Sequence, residues 1–330
     1  VALMSYSITP VQSYINSARR LRDFWTGSII LSWLAFEGIV WVMENLGPDH
    51  ILYPSLIDQP LVRLYLTKTY GIDDAGTMKD PGNRNAIASF PNKFVFLIPY
   101  QYAQEIAEAI EAHIHKQWME LSDSSCSILI ETLRSSIDEE SMRNLRMLFK
   151  RQTETFWHYD WSAVRLLKKD DERTIKDLLP ESRYASSFAT LEEFSRLDSN
   201  KNSPLSGMGL LYGPTHTLAQ AALAASKGVR YNERKEEPGE KCVQCGEFEV
   251  LHTTPYQSGM KARDYAEGIK SFWKDLSAHW PNTLDFEEDD TSAEHLCANC
   301  FIKRVAYRVL ENKNEHILHE VCKGLSGFPS

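Results

Sequence analysis

Two cysteine pairs, Cys242-Val243-Gln244-Cys245 and Cys297-Ala298-Asn299-Cys300, carry the strongest chemical signal in the sequence. Two residues between cysteines let both thiolates reach one ion from a tight knuckle turn, and Gly246 follows the first pair where the backbone must bend sharply. Four sulfurs complete the closed tetrahedral shell of structural zinc, a site that folds chain and transforms no substrate. The 51 residues between the pairs exceed the usual ribbon spacing and predict a folded insert, with helical periodicity over Ala262–Leu276. His252 and His295 are spare ligands. Two other readings are open: four unrelated buried thiols, or redox chemistry, which needs one pair at a helix N-terminus.

Arg19, Arg20 and Arg22 form the second constellation. On one continuous helix Arg19 and Arg22 share a face, and forked guanidinium groups at that spacing suit successive phosphates. The plainer reading is a solvated face with Asp23 as ion-pair partner. Gly27-Ser28 falls inside the same helix, where glycine costs about 1 kcal/mol against alanine, so close packing or a ligand must compensate. Glu315, His316, His319 and Glu320 put two imidazoles on one helix near Cys322, without the His-Glu-x-x-His pattern of zinc hydrolases. Cys126 and Cys322 read as ordinary core or surface thiols.

Several motifs are missing from residues 1–330: a Walker loop, a Gly-x-Ser-x-Gly elbow, Gly-x-Gly-x-x-Gly and a His-Asp dipeptide. Adjacent aspartates occur at Asp73-Asp74, Asp170-Asp171 and Asp289-Asp290, each in a polar setting. None has the strand or hairpin context in which paired carboxylates hold two metal ions.

The elements that must position these groups follow from periodicity. Leu3–Ile8 reads as a strand, and Thr9-Pro10 as the cap and first turn of a long helix whose apolar residues run through Phe36 to a stop at Gly47-Pro48. Tyr53, Leu61–Thr67, Phe94–Ile98 and Thr153–Trp161 read as strands, and Gln104–Met119 as a second amphipathic helix. The order is that of an α+β, ferredoxin-like βαββαβ palm with helices on one face, followed by a helical, zinc-binding connector. Residues 70–89 are a polar insertion, 123–150, 168–194 and 216–227 are helical, and 198–209 is a linker. The expected divisions are a palm over 1–165, a helical connector over 166–232, a four-cysteine element over 233–305 and the start of another helical region over 306–330.

Composition bounds the rest. With 43% hydrophobic and 25% charged residues the chain is globular, and six cysteines in 330 residues are too few for a disulfide framework. The longest apolar stretch, Ile29–Met43, has 15 residues and includes Glu37, so no membrane partner is expected. There is no secretory signal at the start, though a first residue of Val leaves room for sequence upstream. A net charge of −9 argues against a surface that coats nucleic acid and allows a local basic patch. A reducing compartment, the cytoplasm, is expected.

Several segments in order resemble one family. Thr9-Pro10-Val11-Gln12 and the run Ala18–Ser28 resemble the first palm strand and helix of the large, nucleotidyl-cyclase-like subunit of type III-B CRISPR effector complexes, the Cmr type. Leu52-Tyr53-Pro54-Ser55-Leu56 and Phe90-Pro91-Asn92-Lys93-Phe94 are similar to its strand-edge motifs, and Gly239–Gly246 with Leu296–Arg304 to its zinc element. The resemblance implies antiviral defence, other effector subunits, guide RNA and target RNA as partners, and zinc at Cys242, Cys245, Cys297 and Cys300. It also implies a non-catalytic palm that meets a second palm across a pocket for ATP with Mg2+ or Mn2+, where cyclic oligoadenylate is made. Arg19, Arg22 and Ser28 become candidate nucleotide or RNA phosphate contacts, with no catalytic residue assigned. The family's Gly-Gly-Asp-Asp hairpin and His-Asp nuclease motif are both missing from residues 1–330. Two other classes stay open: a free-standing nucleotide cyclase or polymerase using Asp73 and Asp74, and a zinc-stabilised scaffold without nucleic acid.

Overall fold

The computed structural model describes residues 1–72, 88–197, 209–229, 237–254, 260–280, 284 and 294–311. Strands β1 (Ala2–Thr9), β2 (Ile51–Tyr53), β3 (Lys93–Ile98) and β4 (His158–Arg165) form one sheet in the order β2-β3-β1-β4. Every pairing is antiparallel, with Tyr6 opposite both Phe94 and Trp161. β1 is central and buried on both sides, as its unbroken apolar and hydroxyl run requires.

Helices α1 (Gln12–Asn16), α2 (Leu21–Asn45) and α4 (Ala103–Leu133) follow the sheet's aromatic face. Tyr6 stacks on Phe94 at 5.2 Å between centroids and Phe94 on Phe96 at 5.6 Å, beneath Phe36, Ile110 and Ile114. By length and composition α2 could cross a bilayer, yet 78% of its most apolar stretch is buried inside this fold. Gly38 is needed at this contact, because a β-carbon there would come within 2.9 Å of Phe94 and Ile114.

The structure departs from the sequence expectation at several places. The first helix is broken: α1 ends at Asn16, residues 17–20 form an elbow, and α2 starts at Leu21. The apolar spacing of three and four continues through the elbow and hides it. Thr9 ends β1 and does not cap a helix, and the Thr9-Pro10 bond is cis. Residues 61–67, expected as a strand, lie in helix α3 (Pro60–Tyr70), which opens on a proline, closes on left-handed Gly71 and buries Leu61, Val62 and Tyr65 along one side.

The serines after Met119 fail to break α4, because Ser124 and Ser125 donate back to the carbonyls of Glu120 and Leu121. The break falls at 134–138 instead, where Asp138 caps α5 (Glu139–Glu154) by accepting from Ser141 N at 2.8 Å. β4 begins at His158, since Phe156 and Trp157 pack with Tyr14 and Trp118 and do not pair.

Helices also cover both faces of the sheet, against the expected single face. Beyond β4 come α6 (Glu172–Leu178), α7 (Ala185–Leu197) and α8 (Tyr212–Val229). α8 lies on the second face, where Ala219 joins Leu3 and Val95. The last described helices are α9 (Ala262–His279) and α10 (Ala298–Glu311). Their apolar residues Ile269, Trp273, Phe301 and Val305 belong to the same cluster as the aromatic face. That cluster runs without interruption from the sheet to the cysteine pairs.

Candidate metal centre

The first cysteine pair sits on a knuckle made by backbone hydrogen bonds. Gly246 N donates to Cys242 O at 2.8 Å and Cys242 N to Phe248 O at 2.8 Å, with Gly246 at φ 68°. Only a residue without a β-carbon adopts that angle cheaply. The second pair opens α10: Cys297 precedes its first residue and Cys300 lies in its first turn. Unpaired amides at a helix start favour thiolate there.

Two bonds tie the halves, Val243 N to His295 O at 3.0 Å and Leu251 N to Leu296 O at 2.8 Å. The four Sγ atoms consequently lie within 4.8 Å of one another, and Cys245 Sγ is 3.7 Å from Cys297 Sγ. Tetrahedral zinc with Zn–S near 2.3 Å requires sulfur separations of about 3.8 Å, so the donor set fits.

Burial pushes the Cys297 thiol well above its ordinary pKa, while contacts with the other three sulfurs hold Cys245 below its own. Four thiolates this close repel one another, and a cation among them removes the conflict. The site is a four-cysteine cluster that could hold a metal ion.

The spare histidines stay outside it. His252 Nε2 lies 3.0 Å from Glu249 Oε1, and His295 Nδ1 lies 2.6 Å from Glu240 Oε1 with its ring stacked on Trp273. Cys126 is buried in α4, its thiol pushed up to about 11 by burial. Asp171 accepts the backbone N–H of Lys168 at 2.7 Å in an exposed turn, which is capping and no metal pair. Asp73, Asp74, Asp289, Asp290, Glu315, His316, His319, Glu320 and Cys322 lie outside the described residues.

A buried ionic network joins this element to the elbow before α2. Arg304, 1% exposed, donates to both oxygens of Asp23 at 2.8 and 2.6 Å, and to Glu294 at 2.9 Å with a second, shorter contact. Arg20 reaches Glu294 at 3.3 Å, so two carboxylates meet two guanidinium groups. Burial alone would lower the Arg304 pKa, but Asp23 and Glu294 raise it overall.

Gln244, inside the first cysteine knuckle, donates to Asp23 at 2.8 Å. Lys303 donates to Tyr14 O at 2.8 Å and to Ser17 O, closing the end of α1, and lies 4.9 Å from the Tyr14 ring centroid. Gly27 is explained by the same contact, since a β-carbon there would meet Lys303 at 3.1 Å.

The three phosphate candidates do not share one helical face. Arg19 is exposed in the elbow, outside either helix. Arg22 lies over the Tyr307 ring at 5.3 Å, and Ser28 donates to Phe24 O at 3.1 Å within α2. Sequence reasoning took Asp23 as an ion-pair partner on a solvated face, where it is buried against Arg304, and it missed Glu294 and Gln152 as structural hubs. Gln152 accepts from Ala298 N at 2.8 Å and donates to Glu249 O at 2.8 Å, bridging α5 to the cysteine element. No spacing rule exposes such a residue, although a glutamine among Lys150, Arg151 and Glu154 at the end of α5 is a weak cue.

Comparison with known proteins finds chains that this one resembles. Residues 3–123 match the family described as CRISPR-associated protein Cmr2, N-terminal. The CRISPR system Cmr subunit Cmr2 of Pyrococcus furiosus is 24% identical over 308 residues, covering 92% of this chain and 30% of that protein. The CRISPR system CMR subunit Cmr2 of Saccharolobus solfataricus is 34% identical over 64 residues, or 19% of this chain and 6% of that protein. A chain in the cryo-EM structure of type III-B Cmr-beta bound to cognate target RNA superposes with a TM-score of 0.50 at 17% identity, covering 98% of this chain and 34% of its own length. The chain thus spans about a third of the length of its relatives, and the resemblance read from the motifs is borne out.

Proposed function

We propose, from this kinship with Cmr2, that the chain is part of the large subunit of an RNA-guided type III-B CRISPR complex, where it helps organise the guide-RNA ribonucleoprotein. The observation that carries the reading is the Cmr2 match across 92% of the chain, a span long enough to take in the four-cysteine element. Its partners are the other effector subunits, guide RNA and target RNA, and its place is the cytoplasm. We read residues 1–165 as a ferredoxin-like palm, 166–232 as a helical connector, 233–305 as the zinc element and 306–330 as the start of a helical region. The antiparallel order β2-β3-β1-β4 supports the palm.

Cys242, Cys245, Cys297 and Cys300 hold zinc in this reading, as a cross-link that fixes α10 against the first knuckle. The buried Asp23–Arg304 pair then transmits that position to the elbow. Arg19 presents its guanidinium to solvent there, and Arg22 and Ser28 follow along α2. We read all three as phosphate contacts of an ATP pocket completed by a second palm. Replacing Arg19 and Arg22 with alanine weakens nucleotide or RNA binding by the assembled complex in this reading, and unchanged binding removes them from the site.

Native mass spectrometry of the protein drawn from its own cells tests the whole proposal. A particle with zinc, a short guide RNA and repeated backbone subunits is expected. A lone zinc-bearing chain without RNA overturns it and makes ATP turnover by the isolated chain the next measurement.

A further inference from the structure

The far end of the sheet carries a second constellation, unrelated to the cysteines or the elbow. Ala2 pairs with Ile98 on one side and Arg165 on the other, so the end of β3, the start of β1 and the end of β4 meet at one edge. Beyond β4 the chain is pinned: Leu166 N donates to Val1 O at 3.2 Å and Leu167 N to Thr215 Oγ1 at 3.2 Å. It then turns at Lys168–Asp171 into α6. Together with α8 these segments enclose a groove of about 810 Å³ that is open to solvent.

The chemistry of the groove is asymmetric. Val164, Leu166 and Leu218 make an apolar floor, while Tyr100, Arg165 and Lys168 stand on the rim. The Arg165 guanidinium carbon lies 4.4 Å from the Tyr100 ring centroid, and Tyr100 keeps 42% of its surface exposed. Asp171 is the single carboxylate among the described lining residues, and one of its oxygens is taken by the Lys168 backbone N–H. In a chain of net charge −9 this is a locally cationic pocket with a flat π-platform.

We propose that the groove takes one nucleotide of a single-stranded RNA. Its base lies on the Tyr100–Arg165 stack and the apolar floor, and its phosphates lie against Lys168 and Arg165. Unpaired bases are held in this way, by aromatic rings and guanidinium planes beside backbone-tracking cations. An acidic peptide would use the cations but leave the planar stack without a matching surface. The inference rests on the ribonucleoprotein reading for the source of the strand, while its direct test needs only the protein and an oligonucleotide.

The probe is a fluorescein-labelled 12-nucleotide oligouridylate, titrated against the full-length protein by anisotropy at several salt concentrations. Tyr100→Ala should weaken binding at least about fivefold, as lost stacking does. Arg165→Ala with Lys168→Ala should lower the slope of log affinity on log salt by about 1.4, the loss of two single-strand phosphate contacts. All three side chains are exposed, so the melting temperature should stay unchanged.

Wild-type affinity and salt slope in a folded triple variant overturn the proposal. The same result with loss of a neighbouring subunit in native mass spectrometry also overturns it, and assigns the groove to protein docking. Failure of the ribonucleoprotein reading itself shows differently, as a wild-type particle that lacks RNA.

Discussion

The two faces of the sheet are closed by different balances of apolar packing and hydrogen bonding. The first face presents Tyr6, Phe94 and Phe96 to α2 and α4, and its core continues through α9 and α10 into the cysteine element. The second presents Ser5, Ser7 and Ser162 to α8 beside a small apolar cluster of Leu3, Val95 and Ala219. There Ser162 Oγ donates to Ala219 O at 2.7 Å, Gln220 Nε2 to Ser5 Oγ at 2.9 Å, and Lys227 Nζ to Ser7 Oγ at 2.8 Å. Lys93 in turn donates to Gln220 at 2.7 Å.

Burial of aromatic rings is strong and non-directional, whereas each neutral hydrogen bond adds about 1 kcal/mol net and fixes position more than it stabilises. The first face therefore holds the fold together, and the second sets where α8 lies.

The largest test of this contrast is at the cysteines, which belong to the first side. Replacing Cys242 and Cys297 with serine, or stripping metal with a strong chelator, should unfold residues 237–311 together with the elbow. Structural zinc contributes about 10–16 kcal/mol in small zinc peptides. The loss is read as vanished zinc in elemental analysis and a collapsed melting transition. A metal-free variant that melts like the wild type breaks the comparison.

Arg304→Met comes next. It removes the guanidinium shared by the buried Asp23 and Glu294, while Gln244 keeps its bond to Asp23 and Arg20 its contact with Glu294, and removing one partner of such a network costs about 3–5 kcal/mol. Urea unfolding measures it. Restoring part of the loss with Asp23→Asn in the same chain would show that the uncompensated carboxylate, and no packing defect, carries the cost.

These two tests also mark what the sequence made legible. The Cys-x-x-Cys doubling states its own geometry, and Phe94–Ile98 between two prolines could scarcely be anything but a buried strand. Arg304 was invisible because its partners sit 281 and 10 residues away, and no local pattern links Asp23 to α10. The elbow at 17–20 was hidden for a related reason, since Lys303 closes α1 from outside the segment. The α8 seam was missed because serines on a central strand read as neutral filler. They look polar only once β1 is known to be covered on both sides.

A smaller effect comes from Glu249, at the joint between α5 and the cysteine element. Burial alone would raise its carboxyl, but His252, Arg151 and Tyr265 hydrogen-bond the charged form and hold it below its ordinary 4.5. A depressed carboxylate contributes stability that is present above the unfolded pKa and lost as pH falls through the folded one. Wild-type protein should therefore lose urea resistance on acidification below about pH 4.5, and Glu249→Gln should flatten that acid limb. Parallel acid limbs in the two proteins would place the titrating group elsewhere.

The smallest effect should fall on the second face. Ser162→Ala removes the hydrogen bond to Ala219 O and leaves that carbonyl within a helix, where it keeps other partners, so the cost is about 1 kcal/mol. Its signature is local. Hydrogen exchange should quicken in α8 and leave α2 and α4 unchanged, because the aromatic face does not depend on where α8 lies. Equal acceleration on both sides of the sheet would show that the seam belongs to the global core, and the distinction between a face that holds and a face that positions would fall.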